Sequence, residues 1–75
     1  MTQLEVDYRY VTPPTEATMR ALDNVREVYG IRRISFTESE RIIRVEFDAS
    51  RLKEPVIAGL LRGTGLDVGK QLVLA

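Results

Sequence analysis

Arg33-Ile34-Ser35-Phe36-Thr37-Glu38-Ser39-Glu40-Arg41-Ile42-Ile43-Arg44-Val45-Glu46-Phe47-Asp48 is the stretch that decides the fold. Ile34 and Phe36 alternate with Arg33, Ser35 and Thr37, and Ile43, Val45 and Phe47 alternate with Ile42, Arg44, Glu46 and Asp48. Successive side chains of a strand point to opposite faces, so each run has one apolar and one polar face. The polar turn Glu38-Ser39-Glu40 between them makes the pair a β-hairpin.

Upstream, Leu4, Val6, Tyr8 and Tyr10 alternate with Glu5, Asp7 and Arg9, which predicts a half-buried strand with the first four facing inward. Thr12-Pro13-Pro14-Thr15 stops it, because proline lacks a ladder donor and restricts the residue before it. Thr18, Ala21, Leu22, Val25, Val28 and Tyr29 then recur at spacings of three and four, the stripe of a helix that ends at Gly30 and is capped by Thr12 or Thr15. Downstream, Pro55 opens a second helix carrying Val56, Ile57, Leu60 and Leu61 and ending in Gly63-Thr64-Gly65. Gly59 inside it costs up to about 1 kcal/mol against alanine, which predicts close packing on the sheet. Leu72, Val73 and Leu74 form a last short strand. The order is βαββαβ, an α+β sandwich with a four-stranded antiparallel sheet and two helices on one face. The expected core is Val6, Tyr8, Ala21, Val25, Val28, Ile34, Phe36, Val45, Phe47, Ile57 and Leu61.

A chain of 75 residues supports one core, so residues 1–75 are expected to form a single domain. Eleven basic and eleven acidic side chains cancel, so no net field selects nucleic acid, an anionic membrane or an acidic substrate. With no cysteine, disulfide, thiolate and thiol chemistry are excluded. There is no histidine, and Ser35, Ser39 and Ser50 have no evident base, so no enzyme is expected. No apolar run reaches the roughly 18 residues of a membrane span, and no signal segment is evident, so a cytoplasmic location without membrane partners is expected by default.

Ala21, Val25 and Val28, the pair Gly30-Ile31, Val45-Glu46-Phe47-Asp48-Ala49, Ile57 and Leu61, and Gly65-Leu66-Asp67-Val68 stand in an order and spacing that resemble the heavy-metal-associated (HMA) domains of metal carriers and transport ATPases. No gap is needed from Thr12 to Val68. The resemblance implies a ferredoxin-like fold with the first and third strands central. It also implies a metallochaperone-like metal-transport ancestry. The family's loop reads Met-x-Cys-x-x-Cys and holds soft metal between two thiolates at a helix start. Here that degenerate loop is Thr12-Pro13-Pro14-Thr15-Glu16-Ala17. Pro14 and Ala17 stand in the thiolate positions, Thr12 in that of the methionine, and Leu66 where many members place tyrosine or lysine. The resemblance therefore implies no metal or other cofactor, and a protein-interaction or regulatory module whose candidate docking surface is Thr12, Pro13, Pro14, Thr15, Glu16, Ala17, Thr18 and Leu66. One alternative is weak metal handling completed by a partner or a dimer interface. A lone thioether at Met19 does not hold Cu(I) usefully, and Glu38, Glu40 and Glu46 among Arg41 and Arg44 read as a charged turn and sheet face.

RNA-recognition modules share this element order but stack bases on open-face aromatics. Here that face is expected to show Glu5, Asp7, Arg9, Arg33, Ser35, Thr37, Arg44 and Glu46, a cross-strand charge lattice that predicts no nucleic-acid partner, with RNA binding through Arg32, Arg33, Arg41 and Arg44 as a second alternative.

Overall fold

Strand pairing in a computed structural model, which describes residues 3–72, places β1 (Gln3–Tyr10) between β3 (Ile42–Asp48) and β4 (Val68–Leu72), with β2 (Ile31–Thr37) on the far edge of β3. All pairings are antiparallel, in the order β2-β3-β1-β4. The first and third strands are thus central, as the resemblance implies. Helices α1 (Glu16–Val25) and α2 (Glu54–Gly63) cover one face, which gives the ferredoxin-like α+β fold. A single-turn 3₁₀ segment, Glu38–Glu40, followed by Arg41 in the left-handed region (φ 55°), closes the hairpin.

One apolar cluster joins sheet and helices. Val6, Tyr8, Val25, Ile34, Val45, Phe47, Ile57 and Leu61 are buried in it as expected, together with Tyr10, Leu22, Ile31, Ile43, Ala58, Leu66 and Val68. Ala21, Val28 and Phe36 are only partly buried. Phe36 meets Tyr10 edge-on, ring centroids 6.0 Å apart. Ile31 and Ile34 both face inward although they stand an odd three positions apart, because the β2–β3 register shifts between Ile31 and Arg33.

Several sequence expectations are corrected. Leu4 is 50% exposed: parity puts it on the inner side, but it lies near the strand end, where an open cleft separates it from Leu52 and the start of α2. Helix α1 ends at Val25, and the chain reaches Gly30 through turns, which leaves Tyr29 72% exposed. Val56 likewise faces outward on α2. Strand β4 starts at Val68, earlier than expected, and Val73 and Leu74 lie outside the described residues.

The two informative glycines behave oppositely. Gly30 has φ +103°, and a Cβ there would sit 3.0 Å from Arg51 Cβ and from the Leu52 side chain, so this turn requires glycine. Gly59 does not pack closely on the sheet: it is exposed, and a Cβ there would meet nothing within 4 Å. Gly59→Ala is therefore expected to stabilise the protein by up to about 1 kcal/mol, since it lowers the entropy of the unfolded chain and adds no contact. A urea midpoint that falls in the variant would contradict this.

Candidate functional site

The segment between β1 and α1 is exposed yet tied down. Asp67, just before β4, accepts through Oδ1 from the Val11 N–H (3.2 Å) and the Thr12 N–H (3.1 Å), with Oδ2 3.2 Å from the latter. On the other side Arg41 Nη1 donates to the Val11 carbonyl (2.6 Å), and the Tyr10 N–H donates to the Arg41 carbonyl (2.9 Å). Of the two expected caps, Thr15 serves: its Oγ1 accepts from the Thr18 N–H at 3.1 Å. Pro13 and Pro14 fix φ between these ties.

Thr12, Pro13, Thr15, Glu16 and Ala17 are exposed and Pro14 is half-buried. Thr18 and Leu66, expected to share the exposed surface of this loop, are instead buried, Leu66 to 3%. Thr18 faces the α2–β4 connection, where its Oγ1 would lie 3.3 Å from a Cβ on Gly65, and Leu66 belongs to the core. Beside the loop, Val11 is 68% and Met19 38% exposed. A cleft of about 440 Å³ opens here between Pro13 and Pro14, Met19, and Glu38 and Arg41 of the hairpin turn, with Tyr10 at its base. Sequence reasoning missed Val11, Asp67 and Arg41, because their roles arise from contacts across 30 to 56 residues.

The Asp67 carboxyl is held below its ordinary value of 3.8, chiefly by the Thr12 N–H, with the Val11 N–H adding to this. A depressed folded-state pKa means that the tie is at full strength above the ordinary value and is lost as pH falls through the folded one. The Val11 and Thr12 amide proton shifts are therefore expected to titrate with a midpoint below 3.8. In Asp67→Asn that titration is expected to vanish. Persistence of the same midpoint in the variant would assign it to another group.

The open sheet face is a charge lattice in which Asp7 is more enclosed than parity alone suggests. Arg44, its cross-strand partner, grips it with Nε–Oδ1 at 2.8 Å and Nη2–Oδ2 at 3.1 Å and lies 4.0 Å from Glu5. Arg33 stands opposite Glu46. Tyr8, Tyr10 and Phe47 are buried on the helix side, and the Tyr8 hydroxyl donates to Glu54. Burial first, then that carboxylate, pushes the Tyr8 phenol well above its usual range.

Among the described residues no group of three or more His, Cys, Asp or Glu side chains could hold a metal ion, and no helix is long and apolar enough to cross a membrane. No protein-family model matches the chain, and no curated protein does. Among solved structures it is similar to the apo form of the HMA domain of copper chaperone for superoxide dismutase, with a TM-score of 0.67 and 15% identity over 99% of this chain and 79% of that one. The fold is HMA-like. Identity this low shows the shared fold alone, and the chain contains no cysteine.

Proposed function

We propose that this chain is a metal-free protein-interaction or regulatory module on an HMA-like scaffold, which engages a protein partner through the Val11–Ala17 loop and the cleft beside it. One observation supports this above others. The loop exposes Val11 and Pro13, and the first turn of α1 exposes Met19, while Asp67, Arg41, Thr15 and two prolines hold the loop backbone. An apolar surface that is already ordered loses little conformational entropy on docking. The chemistry of the loop supports the metal-free part, since a valine, two threonines, two prolines, a glutamate and an alanine offer no soft donor.

The alternative, weak metal handling completed by a second chain, draws on the same fold but has only the Met19 thioether at the loop. An RNA-binding role has less support, because Arg44 and Arg33 face Asp7 and Glu46 across the strands.

Site-specific photocrosslinking in cells tests the proposal. A photoreactive residue at Val11 or Met19 is expected to capture a protein that the same residue at Arg33, on the open face, does not. No capture at the loop, or equal capture at Arg33, would overturn it.

A further inference from the structure

β2 is an outer strand of the sheet, so one side of its backbone has no strand beside it. Such a row of open donors and acceptors is a template for pairing with another chain. The two outer strands differ in this respect. β4 has five described residues, and its register against β1 shifts between Tyr8 and Tyr10. β2 has seven, and its second half, Ile34-Ser35-Phe36-Thr37, is uncharged, free of proline and rich in β-forming residues. That composition favours sheet formation between molecules.

The register shows which groups of β2 are open. An antiparallel strand inside a sheet bonds its two neighbours with alternate residues. On β3 the Arg41 carbonyl takes the Tyr10 N–H on the β1 side, and the Asp48 N–H gives to the Gly30 carbonyl on the β2 side. Val45, four residues from Arg41, therefore bonds towards β1, and Ile34, which stands opposite Val45, turns its N–H and carbonyl to the free edge. Ile34 is also the fourth of the seven residues of β2, its midpoint.

That midpoint is occupied. Arg26, the residue that caps the end of α1, donates from Nη1 to the Ile34 carbonyl at 2.9 Å. Its guanidinium is steadied from the other side, where Nε lies 3.4 Å from Oδ1 of Asp23 on α1.

We propose that Arg26 guards the free edge of β2: by holding the Ile34 carbonyl it keeps this strand from pairing with β2 of a second copy. A strand laid antiparallel along β2 and centred on Ile34 needs that carbonyl, and the Arg26 side chain stands where the strand would lie. A charged side chain is a common means of blunting an outer strand. Here the charge comes from a neighbouring helix and takes the backbone acceptor itself. This edge is distinct from the loop, so the inference stands apart from the docking proposal.

Arg26→Met keeps an unbranched stem and removes the donors. Sedimentation equilibrium from about 10 μM to about 1 mM covers weak association. Wild type is expected to remain at 8.5 kDa, and Arg26→Met to rise towards twice that mass as concentration increases. A residue that only ties α1 to β2 would lower the urea midpoint when replaced and leave the mass unchanged. Arg20→Met removes a guanidinium that pairs with Glu16 on the same helix, and it is expected to stay monomeric. In Arg26→Met the Ile34 amide is expected to exchange more slowly at about 1 mM than at about 10 μM, since pairing engages it. Circular dichroism checks folding, and Arg26→Ala replaces Arg26→Met if the latter does not fold. A folded Arg26 variant that stays at 8.5 kDa, a wild type or Arg20→Met that associates to the same extent, or association that leaves Ile34 exchange unchanged would each overturn the inference.

Discussion

Phe47→Ala is expected to cost about 3–5 kcal/mol of folding stability, out of the roughly 5–15 kcal/mol that a small domain has in total. Phe47 lies on β3, a central strand, paired with Leu4 of β1 on one side and Ile31 of β2 on the other, and it is buried in the core cluster. Truncation removes an aromatic ring at the junction of three strands. Val45 and Leu61, both fully enclosed in that cluster, leave little freedom to collapse into the space. The cleft lined by Leu4, Phe47 and Leu52 lies alongside and permits some relaxation, which favours the lower part of the range. Urea denaturation measures the change as a shift of midpoint at constant slope. A loss under about 1 kcal/mol would show that the ring is not a packed part of the core.

The second large effect is a gain. Pro14→Cys with Ala17→Cys sets two thiols three residues apart, one just before the Thr15 cap and one in the first turn of α1. The N–H groups and dipole of a helix start lower the thiol pKa, and two thiolates make a soft, low-coordinate site for Cu(I). Wild type is expected to show no tight Cu(I) or Zn(II) binding. The double variant is expected to compete with a calibrated Cu(I) chelator under reducing conditions, with an affinity several powers of ten above wild type, and each single variant is expected to gain far less. Asp67 and Arg41 hold the loop from outside the substituted positions, so the fold is expected to survive, as circular dichroism checks. A folded double variant that competes no better than wild type would mean that the loop backbone, held by Pro13 and these ties, does not present the two positions to one ion, and would remove the support for a metal-carrier ancestry.

What the sequence by itself determined is the order of elements and the inner face of most of them. Ile43, Val45 and Phe47 point inward because a strand has period two, and Leu22 and Val25 because a helix brings i and i+3 to one side. The absence of thiolate chemistry was equally legible, since no fold can supply a cysteine. Periodicity tells which side a residue takes, however, and not whether anything covers that side. Only the tertiary structure decided that Leu4, on the inner side, is exposed, while Asp7, on the outer side, is enclosed by an arginine that lies 37 residues away. The β2 bulge shifts register against β3, a property of the pair and not of either strand. The candidate site was half legible: Thr12-Pro13-Pro14-Thr15 announces a constrained loop, because proline acts on its own backbone. That Asp67 and Arg41 hold this loop, that Thr18 and Leu66 are withdrawn into the interior, and that Met19 and Glu38 share a cleft are contacts between distant segments. Such contacts exist only once β1 is paired with both β3 and β4, and no local pattern of residue types encodes them.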